Sequence, residues 1–261
     1  IGDFGDLKTM IDFVASTGQK VLQLLPINDT TITHTWTDSY PYSCISVFAI
    51  HPQYADLHAL PELKDAKARA EAEKTRAELN ALDKIDYEKV NDFKINYLRQ
   101  IFNQEGEKMM KTAEYKAFFQ ASELWLVPYA QYSYLRDKNG TADFNQWPDH
   151  QVWDEAERKV LADPKTAAYK NVAFFYFVQF VLDRQMQEAH EHAKAKGVIL
   201  KGDIPIGVNR NGCDVWTEPK YFNLNGQAGA PPDDFSANGQ NWGFPTYNWF
   251  EMLKDGCQWW N

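Results

Sequence analysis

A helix that ends at a glycine and leads directly into a short apolar segment is the feature that most constrains this fold. Residues 6–17 place apolar side chains on one helical face, Gly18 stops the helix, and the apolar segment 20–27 follows. A near-continuous apolar segment directly after a helix indicates a buried strand of a parallel sheet.

The same unit occurs again in the last third of the chain. Asp163-Pro164 is a suitable N-cap and first-turn pair for a long helix over 163–195, which Gly197 closes. Residues 198–208 then predict another buried strand. Pro205 must lie near the C-terminal end of that strand, because a proline cannot donate a hydrogen bond in the middle of a sheet.

The region between these units is rich in helix-forming residues. Residues 61–117 are dominated by Ala, Glu, Lys and Leu with charges of alternating sign, which predicts a largely solvated helical insertion. An aromatic helix over 123–136 and an irregular link over 140–153 follow it. Another short apolar segment, 45–50, precedes it and is a further strand candidate.

This order of helices and strands predicts the α/β class, as either a (β/α)8 TIM barrel or a doubly wound sheet. We divide the chain into a segment with the first strands (1–60), a helical insertion (61–160) and a segment (161–261) with a helix, a strand and a loop. In both architectures ligands bind at the C-terminal ends of the parallel strands. The polar residues at those ends are Asn28, Asp29, Tyr42, Ser43, Asp203, Asn209 and Arg210.

The segment 229–249 combines loop-forming residues with an unusual number of aromatic rings. Its prolines and glycines prevent a regular helix, and Asp, Asn and Gln side chains alternate with the rings. Rings can cover the apolar face of a pyranose while amides and carboxylates bind its hydroxyls, so a sugar-binding loop is one interpretation. The other is a lid that packs its own rings over a core. The rings belong to Phe235, Trp242, Phe244, Tyr247 and Trp249.

Asp203 lies inside an apolar segment, and a buried carboxylate needs a hydrogen-bond or ionic partner. Two interpretations stay open. Asp203 contacts a sugar or supports the residues that do, or it ties adjacent loops together, for example through Arg210.

Other polar residues are better explained by structure than by chemistry. Asp214 is interpreted as a helix N-cap. Asp233 and Asp234 are sequence neighbours that usually point apart, so they do not form an acid/base pair. His190 and His192 do not share a helical face, so we expect no metal there.

The composition of the chain argues against two classes of binding partner, nucleic acids and membranes. The net charge of -9 argues against nucleic acid, which needs a basic surface. The longest apolar run, 172–182, is shorter than the roughly 20 residues that span a bilayer, so no membrane partner is expected. Three cysteines without metal-like spacing are typical of a reduced cytoplasmic protein.

Four motifs, in this order, resemble the amylomaltases, the 4-alpha-glucanotransferases of glycoside hydrolase family 77. They are Gln23-Leu-Leu-Pro-Ile27, Tyr40-Pro-Tyr-Ser-Cys-Ile-Ser-Val-Phe-Ala49, Gly202-Asp-Ile-Pro-Ile-Gly-Val208 and the segment 229–249. The similarity covers nearly the whole chain and is weakest over 61–117. It is greatest to the plant disproportionating enzymes that use maltose in the cytosol, and to their bacterial relatives. The resemblance implies the N-terminal portion of a TIM barrel, with about three barrel strands. It makes 1–60 the first barrel strands, and the whole chain one incomplete catalytic domain.

The resemblance also implies roles for individual residues. Tyr42 is similar to a tyrosine that lines the donor-sugar subsite, and Asp203 to the aspartate that ends the third barrel strand. The residues that match the family's loop over the cleft are Asp234, Phe235, Gln240 and Trp242. Two departures imply a changed donor preference: Tyr40 stands where the family usually has Ser, and Ser43 where it has Gln.

The implied reaction is retaining transfer of glucosyl or maltodextrin units between α-1,4-glucans. The implied substrates are maltose, maltodextrins and glycogen- or starch-like glucans, without metal or organic cofactor. The family's nucleophilic Asp and acid/base Glu match no motif before Asn261. We therefore expect no catalytic residue within the chain, no activity of the chain alone, and starch-binding modules ahead of it in a longer protein. The alternatives are an α-glucan hydrolase of the same barrel group and a non-catalytic glucan-binding protein.

Overall fold

The structure, a computed structural model, describes residues 2–260 except for the side chain of Glu157. The helices are α1 (Phe4–Ser16), α2 (Ala66–Asn80), α3 (Tyr87–Ile101), α4 (Glu107–Met109), α5 (Ala113–Asn139), α6 (Glu155–Ala162), α7 (Tyr169–Ala195), α8 (Cys213–Thr217) and α9 (Trp249–Lys254). The strands are β1 (Val21–Gln23), β2 (Ser43–Cys44), β3 (Ile199–Lys201), β4 (Gly207–Val208), β5 (Phe222–Asn223), β6 (Gly229–Ala230), β7 (Gln240–Asn241) and β8 (Thr246–Tyr247).

The first helix forms where its sequence predicts. Asp3 and Asp6 make a reciprocal capping box at the N-terminus of α1, which satisfies backbone donors that the helix itself leaves unpaired. Gly18 follows the helix with φ 79°, a left-handed conformation that favours glycine. Ile11 and Val14 are buried in a small apolar cluster that includes Ala193 at the end of α7.

Two parallel strand pairs connect the N-terminal and C-terminal thirds of the chain. Strand β1 pairs with β3, and β2 pairs with β4, each in parallel register. The prediction of parallel strands is therefore confirmed. The prediction that they are buried on both faces is wrong, since Val21 is 50% exposed and Ile199 63% exposed. Only the opposite face, with Leu22 and Leu200, packs against the α1–α7 cluster.

The apolar segments form shorter strands than predicted. Over 198–208, only β3 and β4 pair, and the residues between them, Pro205 included, join neither pair. Over 45–50, the chain is irregular apart from one bridge between Ile50 and Asn28. The side-chain amide of Gln179 takes the place of a strand partner there. It accepts from the Ile50 N–H at 2.9 Å and donates to the Ile50 carbonyl at 2.7 Å.

The prediction of a solvated helix holds for α2, and the bounds predicted for the two later helices need correction. Helix α2 buries no side chain, as a solvated helix should. The aromatic helix predicted over 123–136 is part of the longer α5, which continues through Pro128. The long helix does not begin at Asp163, because α6 ends before it and α7 starts at Tyr169. The Asp163 carboxylate instead accepts from the Lys165 N–H at 2.9 Å within the intervening turn.

Helices α5 and α7 pack against each other and contribute a large share of the buried core. Their buried side chains include many aromatic rings, and the polar Gln179 is buried among them. A second aromatic group, Tyr132, Trp147 and Trp216, joins α5 to α8, with ring centroids 5.6 to 6.0 Å apart. Within residues 2–260, no helix has an apolar stretch long enough to cross a bilayer.

We predict that Gln179→Met destabilises the chain by about 1–3 kcal/mol, because the backbone N–H and carbonyl of Ile50 lose their partner. The matched control is Gln187→Met on the exposed side of the same helix, for which we expect a change within about 0.5 kcal/mol. Urea unfolding measures both free energies. Equal effects of the two substitutions would contradict the role of Gln179 as the hydrogen-bond partner of the Ile50 backbone.

Candidate functional site

Tyr42 and Asp203 meet where β2 begins and β3 has ended. The Tyr42 hydroxyl donates a hydrogen bond of 2.7 Å to Oδ2 of Asp203, although 161 positions separate the two residues. Both side chains are half-buried. The hydrogen bond to the carboxylate, together with partial burial and the nearby negative charge, raises the pKa of Tyr42. The pair is therefore a neutral phenol held by a carboxylate at the edge of the sheet.

A second side-chain bond lies beside this pair. Asn209 Nδ2 donates to Ser43 Oγ at 3.0 Å, and the Asn209 N–H donates to the Cys44 carbonyl at 2.7 Å. Four of the polar residues expected at C-terminal strand ends are thus brought together: Tyr42, Ser43, Asp203 and Asn209. Asp203 follows β3 and Asn209 follows β4 as predicted, whereas Tyr42 and Ser43 lie at the start of β2. Asp203 does tie two loops together, but its partner is Tyr42 rather than Arg210.

Asn28 and Asp29 have a structural role instead. Asn28 Nδ2 donates to the Val47 carbonyl at 2.7 Å. The buried Asp29 carboxylate accepts from the Tyr129 hydroxyl at 2.6 Å and from the N–H of Thr31 at 3.0 Å. These bonds fix the start of the loop that leads to Tyr42.

A buried polar network that the sequence did not reveal supports the same loop. The Asp38 carboxylate accepts from three consecutive backbone N–H groups, those of residues 32–34. The Tyr87 hydroxyl bonds the Asp38 carbonyl and Nε2 of His51, and burial lowers the pKa of His51. Arg136 donates to the Thr31 carbonyl at 2.9 Å. The network surrounds a cavity of about 70 Å³. Its members are far apart in sequence, so no local pattern identifies them.

The segment 229–249 is largely a hairpin rather than an irregular loop. Strand β6 pairs with β7 and β5 pairs with β8, both antiparallel, so that residues 222–247 form one two-stranded ribbon with its tip at 231–239. A Cβ atom at Gly229 would collide with the Gln240 carbonyl oxygen, so the close pairing there requires glycine. Gly239 has φ 73°, which suits the turn.

The ribbon exposes some of its rings and buries others. Phe235 at the tip is 97% exposed, and Asp234 and Gln240 are also exposed. Trp242 is half-buried, and its Nε1 donates to Oε1 of Gln240 at 3.1 Å. Phe244 is buried. The base of the segment therefore packs against the protein, as a lid over a core would, and the tip does not. The sugar-binding role of the tip stays a prediction.

The base of the ribbon is attached to the end of β4. A Cβ atom at Gly207 would lie 2.9 Å from Cβ of Phe244, so the missing side chain leaves room for that ring. The Arg210 guanidinium donates to the carbonyls of Leu224 and Gly226, the latter at 2.7 Å. Through these contacts the structure links the ribbon, which carries Trp242, to the strand that pairs beside Tyr42.

Asp214 is not a helix N-cap, because Gly212 occupies that position in α8. The Asp214 carboxylate instead accepts from the Val47 N–H at 2.9 Å, and Ser46 also hydrogen-bonds it. Complete burial raises its pKa to about 7. Asp214 therefore anchors the segment that follows β2. The local sequence around Asp214 does not distinguish this role from helix capping.

The carboxylate of Asp233 accepts from the N–H groups of Phe235 and Ser236 at 2.9 and 2.8 Å, which shapes the ribbon tip. Its neighbour Asp234 is exposed. This arrangement agrees with the expectation that the two residues do not form an acid/base pair.

The chain is similar to known proteins over its whole length. The sequence profile of glycoside hydrolase family 77, described as 4-alpha-glucanotransferase, matches residues 1–261. The chain is 42% identical to the 4-alpha-glucanotransferase DPE2 of Oryza sativa subsp. japonica, covering 100% of this chain and 27% of that protein. It is 31% identical to the 4-alpha-glucanotransferase of Chlamydia muridarum, covering 100% of this chain and 48% of the relative. The chain thus spans between a quarter and a half of the length of these relatives.

Solved structures show the fold. An amylomaltase from Streptococcus agalactiae in complex with acarbose superposes with a TM-score of 0.79 at 24% identity, over 99% of this chain and 52% of that one. The amylomaltase from Corynebacterium glutamicum gives 0.75 at 22% identity, over 97% of this chain and 34% of that one. The predicted N-terminal portion of a (β/α)8 barrel, and the predicted family resemblance, are confirmed.

We predict a pH-dependent effect of Asp214→Asn on stability. The folded chain binds a proton at Asp214 up to a pH of about 7, whereas the ordinary pKa is 3.8. Between these values the unfolded state holds fewer protons, so the wild type loses stability as pH rises. The variant lacks this titration. Its free energy of unfolding relative to the wild type should therefore increase from pH 4 to pH 7 and level off above, as measured by urea unfolding. A difference in free energy of unfolding between variant and wild type that is constant across this pH range would contradict a buried, protonated Asp214.

Proposed function

The chain belongs to the 4-alpha-glucanotransferase family, glycoside hydrolase family 77. On that premise we propose that the protein transfers glucosyl or maltodextrin units between α-1,4-glucans, with maltose as one donor. Because the chain spans only part of its relatives, the proposal concerns the longer protein in which this segment provides glucan-binding residues.

The observation that carries the proposal is the hydrogen bond between Tyr42 and Asp203, because Asp203 follows the C-terminal end of the parallel strand β3. A TIM-barrel enzyme forms its active site at that edge of the barrel. One Asp203 oxygen holds the Tyr42 hydroxyl. We propose that the other accepts a sugar hydroxyl, while the Tyr42 ring covers the apolar face of the donor sugar. The acarbose bound to the Streptococcus agalactiae amylomaltase supports a glucan-like ligand for this family.

The ribbon provides the second part of the proposed site. Phe235 and Trp242 offer aromatic faces, and Asp234 and Gln240 offer hydrogen-bonding groups for sugar hydroxyls. A carbohydrate that covers the ribbon tip would reduce the exposed area of Phe235, which is favourable by about 25 cal/mol for each Å² of apolar surface. A ribbon that binds the acceptor sugar and excludes water would favour transfer over hydrolysis.

The proposed reaction proceeds with retention in two displacements. A carboxylate attacks the anomeric carbon and expels the leaving sugar, which takes a proton from a general acid. The 4-hydroxyl of an acceptor glucan then attacks the covalent glycosyl-enzyme in place of water and gives its proton to the same group, now a base. Both carboxylates are predicted beyond Asn261. The cytoplasmic location, the starch-binding modules, and the absence of nucleic-acid and membrane partners also stay predictions.

We predict that the 261-residue chain binds maltotriose but does not disproportionate maltose. Tyr42→Ala and Trp242→Ala should each weaken binding about tenfold, which corresponds to about 1.4 kcal/mol. Titration calorimetry measures the affinities, and chromatography of the maltose reaction detects longer products. Phe13→Ala, an exposed ring on α1, is the control and should bind as the wild type does.

Three outcomes would contradict different parts of this proposal. Unchanged binding by both site variants would remove the proposed glucan site. Longer maltodextrins from maltose would show that the chain itself holds catalytic carboxylates. For the longer protein, glucose as the only product from maltose would indicate hydrolysis instead of transfer.

A further inference from the structure

Tyr40 is an aromatic residue next to the proposed donor site. It follows the 3₁₀ turn Trp36–Ser39 and precedes Pro41. The proline ring disfavours a helical conformation in the residue before it, and Tyr40 is accordingly extended, with φ -77° and ψ 110°. Pro41 also fixes its own φ. The backbone that carries the ring of Tyr40 is thus restricted by the local sequence.

This restricted backbone places two rings together. Pro41 and Tyr42 are the central residues of a turn, which the Ser43 N–H closes by donating to the Tyr40 carbonyl at 3.3 Å. In this turn the ring centroids of Tyr40 and Tyr42 are 5.7 Å apart, with their planes at 52°. Asp203 holds the Tyr42 hydroxyl. One ring of the pair is therefore anchored to the edge of the sheet, and the other is placed against it by Pro41.

Tyr40 is nevertheless 54% exposed. The ring leans on Tyr42 and presents the remainder of its apolar surface to solvent beside the Tyr42–Asp203 pair. A ring that is held in place but exposed to solvent can bind a ligand with little loss of side-chain conformational entropy. Apolar C–H groups of a pyranose are a suitable partner for such a face.

We propose that Tyr40 contacts the glucosyl unit next to the one that Tyr42 contacts, and so makes the site prefer glucans of two or more units over a single glucose. This inference rests on the proposed glucan-binding function of Tyr42 and Asp203. It makes Tyr40 a specificity-determining residue, and it assigns the two rings of the Tyr40-Pro41-Tyr42 segment to adjacent sugars.

The test compares the affinities of methyl α-glucoside and maltose, measured by NMR titration of the 261-residue chain. Tyr40→Ser should leave the affinity for methyl α-glucoside unchanged and weaken maltose about fivefold, the size of one aromatic contact. Tyr40→Phe keeps the ring and should retain the preference for maltose. Phe13→Ala is the control for loss of an exposed ring elsewhere.

The possible results separate the two proposals. An unchanged maltose preference in Tyr40→Ser would overturn the role of Tyr40. Equal weakening of both sugars would also overturn it, because the ring would then act only by positioning Tyr42. In either case a loss of both affinities in Tyr42→Ala would leave the proposed function standing. If Tyr42→Ala binds both sugars as the wild type does, the proposed function itself fails. Tyr40→Phe is the control for a folding defect in Tyr40→Ser, because the phenylalanine ring preserves the contact with Tyr42.

Discussion

The parallel pairing of β2 with β4 is the constraint on which the candidate site depends. It joins Ser43 to Gly207 and Cys44 to Val208, and it thereby brings Tyr42 within hydrogen-bonding distance of Asp203. The two strands lie far apart in the sequence, and closing so long a connection costs conformational entropy. The hydrogen bonds of two-residue strands cannot offset this cost. The aromatic core between α5 and α7 supplies the necessary stabilisation, since it buries the large side chains that lie between the paired strands in sequence.

Buried polar side chains replace long strand ladders in this fold. Gln179 clamps Ile50, Asp214 anchors Val47, and Arg210 holds the carbonyl groups at the base of the ribbon. Each bond joins a side chain of one element to the backbone of an irregular segment, which would otherwise have unpaired polar groups. The irregular segments therefore have defined positions, and the site that they carry has a defined geometry.

The sequence predicted features that depend on local patterns. Helix α1, the solvated α2, the parallel strands and the position of Asp203 after β3 all follow from spacing, glycine stops and apolar segments. The failures depend on distant partners. Asp214 resembles an N-cap locally but bonds Val47, and segment 45–50 resembles a strand although Gln179 occupies its backbone groups. The start of α7 and the pairing of the ribbon also depend on tertiary contacts rather than on composition.

The most direct test of the central claim is a double-mutant cycle on maltose binding with Tyr42→Phe, Asp203→Asn and the double variant. If the two side chains act as one bonded pair in a glucan site, each single substitution should weaken binding, and their effects should be non-additive by about 1 kcal/mol. Effects that add to within about 0.3 kcal/mol would show that the two residues act independently. Such a result would contradict the account of the site given above.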